Sequence, residues 1–249
     1  MGLAIYETPK LLGAGEGCLV VEFADEIHRP SNARLQLLRR SLEDAPPAGL
    51  RECVPTYRSL AVYFDPLVCR REDLEDRIRG SLTEFRDEEE AERSVVVLPV
   101  CYGGEHGPDL ANVATHTGLS QEEVIRRHTA RDCYCFMLGF TPGFPYLGGM
   151  DESLATPRLA NPRTVIPGGS VGIAGKQTGV YPMDSPGGWQ LIGRTPLRLF
   201  DPNGTPPTLV DAGDWIRFQR VDEKTYVDLE AQVTSGAYRV TRIREGGSR

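Results

Sequence analysis

The sequence lacks the features of several large protein classes. None of its apolar runs approaches the roughly 20 residues needed to cross a bilayer, and its N-terminus lacks the basic-then-apolar pattern of a signal peptide. Basic residues are a minority, since the formal net charge is −7, which argues against a surface that follows nucleic-acid phosphates. These absences predict a cytoplasmic protein that binds neither membrane nor nucleic acid.

The six cysteines lack any Cys-x-x-Cys spacing. In a reducing cytosol, cysteines scattered through apolar runs usually pack as small buried hydrophobic side chains. Cys133 and Cys135 would share one strand face, but no nearby histidine pair completes a metal site around them. Packing is therefore favoured over ligation, and we expect no metal.

A phosphate-binding loop is also missing, although residues 169–178 (GSVGIAGKQT) contain Gly-Lys near a threonine. A Walker A loop needs four residues between its glycines and a hydroxyl directly after the lysine. Here five residues separate Gly169 from Gly175, and Gln177 lies between Lys176 and Thr178. A glycine-containing strand or turn is favoured instead, against which a substrate or a partner's backbone could lie closely.

Three loops rich in glycine and proline are the most informative feature present. They are residues 139–149 (GFTPGFPYLGG), 167–175 (PGGSVGIAG) and 185–189 (SPGGW). Because glycine costs backbone entropy and proline removes a donor, such loops lie outside helix interiors. Two interpretations stay open: tight turns of an all-β domain, or site loops whose backbone amides receive an anion.

The hydrophobic pattern predicts an α+β protein with two domains, residues 1–93 and 94–245, and a disordered tail, residues 246–249. Between residues 18 and 98 the pattern gives a strand, a helix, two strands, a helix and a strand. This βαββαβ order is that of the ferredoxin-like arrangement. The acidic stretch 87–92 is interpreted as a solvated connector between the domains, and the strand at residues 95–98 could be shared between them.

The second domain begins with two short helices. The first, over residues 108–117, has Gly118 as its stop, and Ser120 caps the second. From residue 132 to 218 the pattern predicts short strands between turns, which is typical of a closed barrel. A helix over residues 222–233 and a strand over residues 238–243 complete the domain.

Charged side chains near the loops are candidate site residues, since a guanidinium suits a carboxylate or a phosphate. His128 could transfer a proton near neutral pH, or its charge could cap a helix end. Arg158, Arg163 and Arg194 could each bind a carboxylate or serve as surface ion-pair partners. Arg163 is preferred because it precedes the second glycine-rich loop. Because the helix end, the Pro-Arg turn and the glycine-rich loop lie at strand boundaries, where a barrel gathers its loops, we predict that His128 and Arg163 share one pocket with the Ser170 loop as its catalytic groups.

Neutral residues of the loops complete the predicted pocket. The substrate-binding candidates are Phe140, Phe144, Tyr146, Gly169, Ser170, Gly172, Gln177 and Trp189, with Tyr181 as a further hydrogen-bonding group. Trp189 could be core or the wall of a groove. The aromatic members of this set are also predicted to form an exposed patch for a partner. His28, His106 and His116 are expected to be surface residues.

Residues 137–201, together with residues 54–60 (VPTYRSL) and 99–105 (PVCYGGE), resemble the KipI family, also called allophanate hydrolase subunit 1. The resemblance implies a ferredoxin-like first domain and a cyclophilin-like barrel. A histidine at the position of His128 recurs in the family motif at residues 123–128, which favours a functional role. Lys176 departs from the small residue usual there, so the identity of the ligand stays open.

The resemblance also implies a subunit of ATP-dependent 5-oxoprolinase, with 5-oxoproline as substrate and PxpA-like and PxpC-like (allophanate hydrolase subunit 2) partners. The sequence contains no Ser-His-Asp order, paired carboxylates or Met-Lys-Met biotin carrier motif, so no activity is expected of the chain alone. Two alternatives stay open. One is the first half of a biotin-dependent urea carboxylase or allophanate hydrolase carboxyltransferase, and the other a KipI-like inhibitor of a sensor histidine kinase.

Overall fold

The structure is a computed structural model that describes residues 5–84 and 93–246. The chain divides into two compact units, with the division between residues 91 and 92. The predicted acidic connector and most of the predicted disordered tail lie outside the described residues. Within the described ranges, no helix combines the length and the apolar composition that a membrane span requires.

The first unit is an antiparallel sheet that packs against two helices. Its order, within residues 5–84, is β1-β2-β4-β3. The core between sheet and helices contains buried leucines such as Leu35 and Leu74, packed with Val21 and Val62. The elements are β1 (Ile5–Gly13), β2 (Cys18–Ala24), α1 (Arg29–Asp44), β3 (Leu50–Pro55), β4 (Ser59–Phe64) and α2 (Arg71–Glu84).

The predicted elements of residues 18–98 are all present, but the sheet of this unit differs from the prediction at its two ends. The strand expected at residues 95–98 lies within β5 (Arg93–Tyr102), which belongs to the sheet of the second unit. Strand β1 supplies the fourth strand instead, and the hydrophobic pattern missed it. The reason is that β1 is an edge strand in which Pro9 is the one buried residue, so its sequence carries no clear alternation.

The second unit is built around an eight-stranded sheet within residues 93–245. Its order is β10-β9-β12-β5-β13-β6-β7, with β14 paired to β5. Strands β10 and β7, at the two ends of this order, lie side by side, so the sheet curls into a nearly closed barrel. The elements after β5 are α3 (Leu110–Thr117), α4 (Gln121–Thr129), β6 (Cys133–Leu138), β7 (Pro145–Gly148), a 3₁₀ turn (Glu152–Leu154), β8 (Arg163–Ile166), β9 (Ser170–Ala174), β10 (Gln177–Val180), β11 (Ser185–Gly187), β12 (Gln190–Arg194), β13 (Trp215–Val221), α5 (Glu223–Thr234) and β14 (Arg242–Glu245).

Strand β5 is central to the barrel. It runs parallel to β13 and antiparallel to β12, and it is buried along most of its length. Its residues Val96, Leu98 and Val100 lie in the main hydrophobic core with Phe218 of β13. A continuous apolar run is typical of a strand covered on both faces, which explains why the sequence predicted a strand here.

The ends of α3 and α4 follow from local sequence. Gly118 ends α3 with a φ of 70°, a left-handed conformation that glycine adopts without strain. Ser120 caps α4, since its Oγ accepts a hydrogen bond from Glu123 N at 3.1 Å. Both ends agree with the sequence analysis, and His128 lies buried in the last turn of α4.

Candidate functional site

Aromatic rings from the glycine-rich loops pack around Phe144. The centroid of its ring lies between 5.4 and 5.7 Å from those of its four neighbours, with interplanar angles of 65° to 85°. Such edge-to-face contacts are favoured because the positive edge of one ring meets the negative face of another. We call this group, Phe140, Phe144, Tyr146, Tyr181 and Trp189, the aromatic cluster.

Glycines of β9 and β10 make room for the aromatic cluster. A Cβ added at Gly179 would lie 3.0 Å from the Trp189 ring and 3.1 Å from the Phe144 ring, and one at Gly172 would lie 3.1 Å from Trp189 Cβ. A side chain at either position would therefore displace the rings. Within residues 170–174, where a substrate or a partner's backbone is expected to lie closely, Gly172 is approached by the chain's own Trp189.

The aromatic cluster lines a cavity of about 160 Å³. Its other lining residues are Arg158, Gln177, Pro186, Gly187 and Gly188. The structure thus brings together five of the predicted substrate-binding residues, which are Phe140, Phe144, Tyr146, Gln177 and Trp189. An apolar wall with a few polar groups is the usual construction of a small-molecule site.

Phe140 has an unusual backbone at the edge of this pocket. Its φ is 63°, in the left-handed region that residues other than glycine seldom adopt. Such a conformation costs on the order of 1–3 kcal/mol and is concentrated at binding and active sites. Because the Phe140 side chain is also 67% exposed, its geometry supports a role in contact with a ligand.

The prediction of an exposed aromatic patch is wrong. Phe144 is 3% exposed and Trp189 7%, and both belong to a small core with Ile166 and Tyr181. Loop residues have no periodicity from which burial could be read, so the sequence did not distinguish these rings from a partner surface. Trp189 is thus a core residue that also forms part of the pocket wall.

Arg158 is the cation at the pocket. It is exposed, and the structure records no ion pair for it within residues 93–246. Burial raises the pKa of the Tyr181 hydroxyl, and the nearby charges of Arg158 and Arg163 oppose that rise only in part. A guanidinium with open donors beside aromatic rings suits a small carboxylate.

Arg163, the cation preferred from the sequence, is bound within the chain. Its Nη1 and Nη2 each donate to the Asp109 carboxylate at 2.8 Å, and Asp109 also accepts from Leu191 N at 2.7 Å. The Asp109 side chain is 5% exposed and that of Arg163 is 31% exposed. Sequence reasoning missed Asp109, since an acid at a helix N-terminus is ordinary. The catalytic assignment of Arg163 stays a prediction.

His128 lies inside the barrel. Its Nδ1 is 2.8 Å from the Tyr102 hydroxyl and its Nε2 is 2.8 Å from Thr178 Oγ1, while the ring packs against Phe218. Burial lowers the pKa of His128 to about 3, so the ring is neutral at pH 7. The alternative of a charged helix cap is therefore wrong. The catalytic assignment stays a prediction, for a residue that does not line the aromatic pocket.

The neutral burial of His128 predicts a loss of stability in acid. Between about pH 6.5 and pH 3 the unfolded chain binds a proton that the folded chain does not, so the free energy of unfolding falls as the pH falls. We expect this residue to contribute a loss of about 2 kcal/mol between pH 6.5 and pH 5. Urea unfolding of wild type, His128→Gln and the exposed-site control His116→Gln measures it. A His128→Gln variant with the pH dependence of wild type would contradict this account.

Backbone hydrogen bonds within the chain occupy two amides of the second glycine-rich loop. Gly169 N donates to Tyr181 O at 2.7 Å and Ser170 N to Pro167 O at 3.2 Å, so neither amide is open to an anion. Gly169 lines a different cleft, together with Arg194. Gly169, Ser170 and Gly172 therefore lie outside the lining of the aromatic pocket, and their substrate-binding assignments stay predictions.

Two further expectations concern Lys176 and the cysteines. Lys176 Nζ lies 2.7 Å from Glu152 Oε2 in an exposed ion pair, outside the pocket lining. Cys133 and Cys135 lie in the hydrophobic core, and all six cysteines are buried and free. The expectation that cysteines serve in packing is thus met at β6.

These features define an α+β protein whose nearly closed barrel carries a small aromatic pocket beside an arginine. Residues 9–210 match the family model described as carboxyltransferase domain, subdomain C and D, and the chain belongs to this family. The B subunit of 5-oxoprolinase from Bacillus subtilis is 46% identical over 226 residues, which cover 85% of this chain and 92% of that protein. The corresponding B subunit from Escherichia coli O157:H7 is 43% identical, with 82% and 92% covered. The family resemblance inferred from the sequence is thereby confirmed.

Solved structures share the fold. The crystal structure of TTHA0988 superposes with a TM-score of 0.73 and 37% identity over 82% of this chain. The match covers 40% of that longer polypeptide, so this chain corresponds to about two fifths of it. Urea amidolyase of Saccharomyces cerevisiae is a more distant relative, 25% identical over 91% of this chain and 14% of its own length.

Proposed function

We propose that this chain is the B subunit of an ATP-dependent 5-oxoprolinase, which converts 5-oxo-L-proline, ATP and water to L-glutamate, ADP and phosphate. The observation that carries the proposal is the 46% identity to the B subunit of a 5-oxoprolinase over 92% of that protein. We also assign the first unit as ferredoxin-like and the barrel as cyclophilin-like. The proposal includes a cytoplasmic location.

The aromatic pocket supports the choice of substrate. 5-Oxoproline has one carboxylate on a small lactam ring, and a site for it needs a cation, an apolar wall and a neutral hydrogen-bonding group. Arg158 would bind the carboxylate through its guanidinium fork. Phe140 and Tyr146 would contact the ring, and the Gln177 amide would hydrogen-bond the lactam.

The remaining chemistry requires other polypeptides in this proposal. A lactam is a stable amide, and ATP would activate its carbonyl before water opens the ring. The sequence has no Walker A loop, so ATP would bind in the complex with PxpA-like and PxpC-like subunits. This chain would then supply one wall of a composite site.

Two alternatives have less support. The first alternative is that the chain is the first half of a biotin-dependent urea carboxylase carboxyltransferase, and its support is the distant relation to urea amidolyase. A KipI-like inhibitor of a sensor histidine kinase draws on the family resemblance alone. Both alternatives predict that this chain adds nothing to the hydrolysis of 5-oxoproline.

Reconstitution tests the proposal. The purified chain alone should show no ATP hydrolysis that depends on 5-oxoproline, and mixing it with PxpA-like and PxpC-like partners should produce glutamate and ADP together. Omission of this chain from the mixture should abolish both products. Glutamate formation by this chain alone, or its absence from the complete mixture, would refute the composite enzyme.

Arg158→Ala tests the pocket within the reconstituted complex. We expect the KM for 5-oxoproline to rise at least tenfold with a smaller change in kcat, because the carboxylate contact is made in both the bound substrate and the transition state. A tenfold rise corresponds to about 1.4 kcal/mol of lost binding. Lys176→Ala is the matched control, since it removes a nearby exposed cation that does not line the pocket. Equal KM values for the two variants would argue against Arg158 as the carboxylate ligand.

A further inference from the structure

A second group of side chains with metal-binding chemistry lies at the end of β5. Cys101 belongs to β5, His106 to the loop after it and Glu223 to the first turn of α5, and their ligand atoms all lie within 4.8 Å of one another. His106 Nε2 is 2.9 Å from Glu223 Oε2, and Cys101 Sγ is 3.6 Å from the same oxygen. Three separate segments of the chain thus place a thiol, an imidazole and a carboxylate together.

The spacing is close to that of ligands around one tetrahedral ion. Zinc bonds of about 2.0–2.1 Å to nitrogen and oxygen and about 2.3 Å to sulfur place neighbouring ligand atoms about 3.3–3.6 Å apart. The distance from His106 Nε2 to Glu223 Oε2, 2.9 Å, lies below this range, and that from Cys101 Sγ, 3.6 Å, lies at its upper end. The third pair, Cys101 Sγ and His106 Nε2, lies within 4.8 Å, so side-chain rotations would bring all three atoms onto a metal.

Strand pairing, ring packing and a helix cap position Cys101, His106 and the backbone of Glu223, whose side chain is 69% exposed. Cys101 is fixed by the pairing of β5 with both β12 and β13. The His106 ring packs on Tyr226, with 4.2 Å between centroids, and Asp222 caps the helix on which Glu223 lies. Cys101 and His106 would therefore lose little freedom when a metal binds, and the Glu223 side chain would become ordered.

One side of the group is open. Cys101 and Glu223 border a surface cleft whose other lining residues include Gly104, Glu105 and Arg220. A metal held by three protein ligands here would have a fourth position that faces the cleft and accepts water. None of these residues lines the aromatic pocket, so the two sites are separate.

Charge balance favours a divalent ion. The Cys101 thiol donates to Glu223 Oε2, so a proton lies between these two side chains. Metal binding would release that proton to solvent as the metal–sulfur bond forms. The thiolate and the Glu223 carboxylate would then neutralise the two positive charges. Asp222 adds negative charge nearby, and Arg220 is the opposing cation.

We propose that Cys101, His106 and Glu223 form a zinc site with a fourth position open to the cleft. The mixed sulfur, nitrogen and oxygen donors suit Zn²⁺ rather than Mg²⁺ or Ca²⁺, which take oxygen ligands. The sequence analysis expected no metal and assigned His106 to the surface. It missed the site because Glu223 is 117 residues from His106 in the chain.

Metal titration tests the site in the full-length chain. Chelator-treated protein titrated with ZnCl₂ at neutral pH in a calorimeter should bind one equivalent, with an affinity at least tenfold weaker in His106→Ala and Glu223→Gln. The controls His116→Ala and Cys69→Ser should bind as wild type does. With Co²⁺ as probe, the thiolate charge-transfer absorption should be present in wild type and Cys69→Ser and absent in Cys101→Ser.

Thermal unfolding without zinc checks that each variant folds, and added zinc should raise the Tm of wild type but not of His106→Ala. If Cys101→Ser fails to fold, the two variants with partly exposed side chains decide the question. Absence of saturable zinc binding, or equal binding by wild type, His106→Ala and Glu223→Gln, would overturn the proposal.

Discussion

Replacement of Phe144 by alanine is expected to lower the free energy of unfolding of the barrel unit by about 3–5 kcal/mol. The ring is buried, and it contacts the rings of Tyr146, Tyr181 and Trp189 at their edges. Its removal would leave a cavity that these large rings cannot fill without leaving their own contacts. Phe144→Asp should cost more, since it also buries a carboxylate. Urea unfolding followed by tryptophan fluorescence measures both.

Phe140 provides the matched control, because it belongs to the same aromatic cluster but is exposed. Phe140→Gly removes a ring from water and relieves the left-handed φ of 63°, so the change in stability should be within about 1 kcal/mol of zero. If Phe144→Ala were as mild as Phe140→Gly, the rings would be a surface patch after all, as the sequence had suggested.

The parts of the fold that depend on local chemistry could be read from the sequence. Ser120 begins α4 and Gly118 ends α3 because caps satisfy backbone groups within a few residues. Strand β1 could not be read, since an edge strand of mostly exposed residues has no alternation. The sequence also did not show to which sheet residues 95–98 belong, because β5 pairs with β13, a segment more than 100 residues away in the chain.

The aromatic pocket was predictable in composition but not in detail. The dense glycine and proline content marked the loops, and the structure places five of the predicted residues around one cavity. The sequence did not show which of Arg158 and Arg163 lines the pocket. It depends on Asp109, which lies 54 positions before Arg163 and binds its guanidinium. A long-range ion pair has no signature in the spacing of either residue.

Removal of the Arg163 side chain is expected to lower the free energy of unfolding. Arg163→Ala leaves the buried Asp109 carboxylate without its cation, and breaking such a pair from one side costs about 3–5 kcal/mol. We expect a value near the lower end, about 3 kcal/mol, because the Arg163 side chain is 31% exposed and partly screened. The Asp109 carboxylate keeps the Leu191 N–H, which limits the loss further.

The double variant Arg163→Ala/Asp109→Asn separates structure from catalysis. The neutral amide oxygen can still accept from Leu191 N, and no buried charge remains, so the double variant should be more stable than Arg163→Ala alone. The coupling between Arg163 and Asp109 is obtained from the unfolding free energies of wild type, Arg163→Ala, Asp109→Asn and the double variant. The unfolding experiment measures the structural role of Arg163, and the kinetics of the reconstituted complex, recorded where Arg163→Ala is folded, measure a catalytic role. If Arg163 also acts in catalysis, that complex should lose at least tenfold in kcat/KM, whereas a near-normal kcat/KM would leave Arg163 with the structural role alone.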